Sequence, residues 1–251
     1  MNKIFIAGVA LFTGLCSSAH ADTVVDLELV LAVDVSGSIS TAEFSLQKNA
    51  YVNAFRDSSV ISAIQAGTEG SIAVNLVYWS SFNQQQQSGW YFVNDATTAN
   101  AFATFIDGWA RPFSGNTGVG EALYYSAGLF AGNDYSGTEN VIDLSGDGQD
   151  NSGNAYSAAG GRDYALANGV DKINALAIQS LSLVTYYENN VIGGTGSFAS
   201  FASDFDDFEF ALKGKLVREI TGGEVPEPAT MLLLGSGLAG LVGASRRRNR
   251  K

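Results

Sequence analysis

Residues 29–40 read LVLAVDVSGSIS, an apolar run to Val33 that passes without a break into a carboxylate and two hydroxyls. Leu27, Leu29, Leu31 and Val33 share one face of this run, and its last part is apolar on the other face as well. A strand of that kind needs cover on both sides, as a central strand has in a parallel sheet between two layers of helices. The segment therefore limits the fold to a covered sheet. It also puts Asp34, Ser36 and Ser38, with Gly37 between the serines, where the sheet stops. Three chemistries fit such a turn: a helix cap, a metal site or a nucleophile loop.

Strand-like and helix-like segments alternate along the chain. Periodicity predicts strands at 24–33, 72–79, 89–93, 140–144, 172–178 and 197–202. It predicts helices at 96–109, 120–131, 155–168, 184–190 and 205–220, and one that starts after Ser40. Ser40 and Glu43 have the spacing of a capping box at that start. The Gln-rich stretch 83–89 reads as a hairpin tip, with 89–93 returning antiparallel to 72–79. The alternation predicts an α/β fold, a Rossmann-like doubly wound and mostly parallel sheet with helices on both faces. Such sheets bind ligands at the carboxyl ends of their strands, near the switch in strand order. DVSGS and SGDGQD (145–150) both fall at such ends.

The termini stand apart from this domain, which is expected over 22–223. Residues 1–21 combine Lys3, an apolar stretch and the ending Ala19-His20-Ala21, the pattern of a cleaved signal peptide. Cleavage there removes the one Cys, Cys16, and the one His, His20. Disulfides, His/Cys zinc sites and His-dependent nucleophilic triads are then excluded. Any metal must be held by oxygen, which suits Mg²⁺, Mn²⁺ or Ca²⁺, with Mg²⁺ or Mn²⁺ expected ahead of Ca²⁺. The chain has 25 acidic against 14 basic residues, and six of the bases (Lys3, Arg246, Arg247, Arg248, Arg250 and Lys251) lie in the two end segments. The domain between them is strongly acidic and repels nucleic acid.

At the other end, Pro226-Glu227-Pro228 precedes an apolar segment over about 229–245 and a basic tail at 246–251. The segment is shorter than the roughly 20 residues that span a bilayer comfortably. Gly235, Gly237 and Gly240 within it fit a dinucleotide-binding spacing, but no strand precedes them and no βαβ unit follows. This order of elements resembles the PEP-CTERM sorting signal. The resemblance implies a Gram-negative bacterium, processing by an exosortase-type enzyme, anchorage in the inner membrane beforehand, and the cell surface or the medium afterwards.

Two further loops bear on Asp34, Ser36 and Ser38. SGNTGVGEAL (114–123) carries Thr117 just before a helix, and SGDGQDN (145–151) carries Asp147. Alone, Asp34, Ser36 and Ser38 read equally as an Asx-rich turn or a metal site, Thr117 reads as a helix start, and Asp147, Asp150 and Asn151 read as a solvated turn. Asp34-x-Ser36-x-Ser38, then Thr117, then Asp147-Gly148 together resemble the von Willebrand factor A domain and its metal-ion-dependent adhesion site. The resemblance covers nearly all of 22–223 and implies a metal held by Asp34, Ser36, Ser38, Thr117 and Asp147. The family's commoner pattern has Asp-Gly directly after the strand, whereas Ser145-Gly146 intervene here. An EF-hand reading of Asp147 onward fails, because Ser152 stands where the loop needs Gly and Ala158 where it needs Glu. The expected function is a non-enzymatic, exported module that binds a protein or other acidic ligand through the ion. The alternative is a structural or extracellular-matrix protein whose loops only stabilise the fold. A metal-assisted hydrolase with Asp150 as base is the third and weakest reading. The aromatics Trp79, Trp90, Tyr91, Tyr186 and Tyr187 are expected in the core.

Overall fold

The computed structural model describes residues 21–152 and 156–223. Residues 1–20 of the expected signal peptide and the C-terminal segment 224–251, with its expected apolar helix, lie outside the described residues. In chain order the elements are β1 (Thr23–Val25), β2 (Leu27–Asp34), α1 (Thr41–Arg56), α2 (Ser58–Gln65), β3 (Ile72–Trp79) and β4 (Gln85–Val93). There follow α3 (Ala96–Gly108), α4 (Val119–Ala127), β5 (Tyr135–Gly137), β6 (Asn140–Gly146), α5 (Ala158–Ala167), β7 (Lys172–Ile178), α6 (Leu181–Asn190), β8 (Ala199–Ala202) and α7 (Phe208–Ile220).

Six strands form the main sheet in the order β4-β3-β2-β6-β7-β8, parallel except for β4. β2 is buried along its whole length, as its two apolar faces require. Leu29, Leu31 and Val33 pack with α1, α2, α3 and α7, while Val30 and Ala32 pack with α4, α5 and α6. The chain builds outward from β2 through β3 and β4, then returns to β2's other side with β6. The switch in strand order therefore lies between β2 and β6, and their carboxyl ends carry Asp34 and Asp147.

Several boundaries differ from the sequence reading. The run expected at 24–33 is two strands, because Asp26 breaks it. Its carboxylate accepts from the Glu69 and Ser71 amides at 2.9 and 3.2 Å, and β1 turns away to pair with β5 in a separate two-stranded sheet. Gln85, Gln86 and Gln87 belong to β4, not to a hairpin tip; the tip is 81–84, closed by the Gln84 amide to the Ser81 carbonyl. α2 has no apolar stripe long enough to announce it, yet Asp57 caps it through the Ser59 amide. The helix expected at 120–131 ends at Ala127, where Gly128 caps it. Trp79 and Tyr187 are fully buried, whereas Trp90, Tyr91 and Tyr186 sit half-buried at the edges of the core.

Gly161 sits where α5 crosses α4. A Cβ on Gly161 would lie 2.2 Å from the Gly120 carbonyl oxygen, so Gly161 lets α5 and α4 cross backbone to backbone. Gly161→Ala is expected to force the helices apart and to cost about 1–3 kcal/mol, read as a lower urea midpoint. An unchanged midpoint would mean the crossing has slack.

Candidate metal centre

Asp34 is the last residue of β2 and is wholly buried. One oxygen, Oδ1, accepts from the Ser36 amide at 2.7 Å, which folds the chain back over the strand end. The other, Oδ2, is buried and has no hydrogen-bond partner among the described residues. From there a chain of hydroxyls runs across the sheet's edge. Thr117 Oγ1 donates to Ser36 Oγ at 3.4 Å, Ser36 Oγ meets Ser38 Oγ at 3.1 Å, and Ser38 Oγ donates to Asp147 Oδ1 at 2.7 Å. All five side chains named from the sequence thus come together.

The two residues that seemed to separate Asp147 from its strand do not. Ser145 and Gly146 continue β6, paired with Leu176 and Ala177 of β7, so Asp147 follows the strand directly. Gly146 is required there. A Cβ would stand 2.8 Å from Tyr187 Oη and 2.9 Å from Asp34 Oδ2, in the space where β6 passes the buried carboxylate. Tyr187 Oη in turn donates to the Gly148 carbonyl at 3.1 Å and fixes the turn after Asp147.

Thr117 is placed by residues that the motif does not include. Its amide donates to Asn151 Oδ1 at 2.8 Å, and the Asn151 amide returns a bond to its carbonyl at 2.9 Å. Asp150 accepts from the Gly120 amide at 3.2 Å, at the start of α4. That bond partners an amide in the first turn of α4, whose N-cap, Gly118, has no side chain to do so. Ser40 and Glu43 form the expected capping box, so the cap and the DVSGS turn are adjacent but separate devices. Arg111, from the loop between α3 and α4, reaches the carbonyls of Val35, Ser36, Ile39 and Phe113. Neither Arg111 nor Asn151 belongs to the motif read from the sequence; a lone arginine in a Pro-containing loop carries no signal of its partners.

The electrostatics are those of a site short of positive charge. Burial, followed by the charge of Asp147, pushes the Asp34 carboxyl up to about 7 against the pull of the Ser36 bonds. Burial also raises Asp147, opposed by Ser38. Among the described residues no three His, Cys, Asp or Glu side chains gather to hold a metal. The cluster offers two carboxylates, and its remaining donors are hydroxyls.

A family model described as a protein of unknown function (DUF1194) matches residues 24–224. The chain belongs to that family. The PEP-CTERM protein-sorting motif matches residues 224–248, which marks the chain as a secreted protein subject to exosortase-type processing at the membrane. A search of the curated proteins found no match. Among solved structures, the chain is similar to proximal thread matrix protein 1 from the mussel byssus, with 18% identity and a TM-score of 0.54 over 80% of this chain and 46% of that one. It is also similar to the pilus adhesin SpaC from Lactobacillus rhamnosus GG (16%, TM-score 0.57, 80% and 31%) and to a von Willebrand factor type A protein from Catenulispora acidiphila (13%, TM-score 0.55, 80% and 43%). The chain spans less than half the length of each of these. At such identities the likeness establishes the fold, and the DUF1194 domain has the von Willebrand factor A fold. One structure of the byssus protein has a zinc-occupied MIDAS motif. Among the described residues no helix is long and apolar enough to cross a membrane.

Proposed function

We propose that this chain is an exported, non-enzymatic binding module. It takes a divalent cation, Mg²⁺ or Mn²⁺, at Asp34, Ser36, Ser38, Thr117 and Asp147, and through it a protein or other acidic ligand. The observation that carries the reading is the buried, unpartnered Oδ2 of Asp34 beside a second carboxylate and three converging hydroxyls. A buried carboxylate oxygen without a donor is costly, and a cation is the partner its neighbourhood lacks. The bound ion would supply an electrophilic position for a carboxylate of the partner. Asp34 and Asp147 provide the charge, and Ser36, Ser38 and Thr117 provide neutral lone pairs. Residues 1–21 would direct export, and 224–251 would hold the chain in the inner membrane until an exosortase-type enzyme acts.

One observation favours a matrix role without a metal. The hydroxyl chain from Thr117 to Asp147 is closed by its own hydrogen bonds, so the loops are tied together without an ion. Calorimetric titration of Mg²⁺ into the purified chain separates the two readings. Saturable binding at one site is expected; heats of dilution alone would leave the matrix role.

A further inference from the structure

We propose that Arg111 is the positioning residue of this centre. Its guanidinium holds the backbone of 35–39 so that the segment offers hydroxyls, and not carbonyls, to a cation. The inference rests on the metal-binding reading above.

Backbone carbonyls are good ligands for hard cations, and a glycine-containing turn can swing them inward. Here those of Val35, Ser36 and Ile39 are committed to Arg111. Arg111 Nη2 donates to the carbonyls of Val35 and Ser36 at 2.7 and 2.6 Å, and Nη1 to that of Ile39 at 2.8 Å. Nε is shared between the Val35 and Phe113 carbonyls at 3.1 and 3.2 Å. The peptide planes on either side of Ser36 are thereby fixed, while the Ser36 and Ser38 hydroxyls keep Thr117 and Asp147 as partners. The same segment is tied to the Thr117 loop at a second point, where the Gly37 amide donates to the Gly115 carbonyl at 2.7 Å. Arg111 stands six positions before Thr117, so one side chain sets two of the three ligand-bearing loops against each other. The Phe44 ring, 5.8 Å below the guanidinium, holds the fork in place.

Two effects of Arg111 oppose each other. Its charge repels a nearby cation, and its hydrogen bonds order the ligands. A charge at a half-buried position is screened by solvent. Loss of an orienting partner typically weakens metal binding by 10–100-fold. Ordering therefore wins, and its loss lowers affinity. Lysine keeps the charge but cannot reach four carbonyls with one rigid fork.

The test measures Mn²⁺ affinity in the full chain for wild type, Arg111→Lys and Arg111→Ala, with each melting temperature recorded. Both variants are expected to bind at least about tenfold more weakly, and added methylguanidine is expected to restore binding in Arg111→Ala. Equal or tighter binding in the folded variants overturns the proposal and leaves the metal reading standing; absence of binding in wild type removes the metal reading itself. Hydrogen exchange at the Gly37 and Ile39 amides gives a readout without metal. Exchange should rise there in Arg111→Lys beyond any global change, and unchanged protection would also overturn the assignment.

Discussion

Lys215→Met is expected to destabilise the domain by roughly 3–5 kcal/mol, a large share of the 5–15 kcal/mol typical of a whole domain. The Lys215 side chain is wholly buried between α7 and the sheet, and Nζ lies 2.5 Å from both Asp143 Oδ1 and Glu219 Oε1. Asn174 donates to the same Glu219 oxygen at 2.8 Å. Methionine would fill the volume but leave the Asp143 and Glu219 carboxyls buried without the cation they share. A urea midpoint equal to wild type would show that the carboxylates are neutral in the native state and that the lysine contributes packing alone.

Glu219→Gln tests the other side of the cluster. Burial, followed by the charge of Asp143, raises the Glu219 carboxyl toward about 8 despite Lys215. A folded-state value above the unfolded one means that folding takes up a proton. This group's contribution is then fully present below about 4.5, its ordinary value, and is lost as pH rises through about 8. Wild type should lose stability between those limits, and Glu219→Gln should flatten that slope while leaving Lys215 paired with Asp143. A variant that lost stability with rising pH as steeply as wild type would assign the slope to other groups.

Asp34→Asn is expected to separate stability from ion binding. The amide oxygen can still accept from the Ser36 amide, and an uncharged NH₂ replaces the unpartnered Oδ2 beside Asp147. Without metal the variant should melt at or above the wild-type temperature, because a buried carboxylate oxygen lacking a donor, and the charge beside Asp147, are removed. With Mg²⁺ present, wild type should gain stability as the ion binds the native state; 100-fold saturation is worth about 2.7 kcal/mol. The variant should gain almost nothing, since it has lost one of two charges in a site whose other ligands are neutral. An equal Mg²⁺-induced rise in the variant would place the ion elsewhere.

The likeness between sequence and structure is uneven for identifiable reasons. β2, β3 and β7 are written in runs of apolar residues, and the Ser40–Glu43 cap in a local hydrogen-bonding pattern. Such signals depend on neighbours along the chain, so they survive without the fold. The extent of β6 did not show in this way. Ser145 and Gly146 look like loop residues, yet Ser145 is buried and bonded to Tyr51, and Gly146 is chosen by the Asp34 carboxylate and Tyr187 beside it. Gly161 of α5 has no local signal of its role, which only the Gly120 backbone packed against it explains.

The sequence by itself determined a covered, mostly parallel sheet, the carboxyl-end position of DVSGS, and, since residues 22–251 contain no His or Cys, the oxygen character of any ligand set within them. These follow from periodicity and from residue types, which need no partner. The tertiary structure alone decided that Asp147 follows its strand directly and that Asp34 Oδ2 is left without a donor. It also decided that Arg111 holds the DVSGS backbone, and that a lysine and two carboxylates share the core under α7. Each of these depends on groups far apart in the chain, and nothing local records which of them will meet.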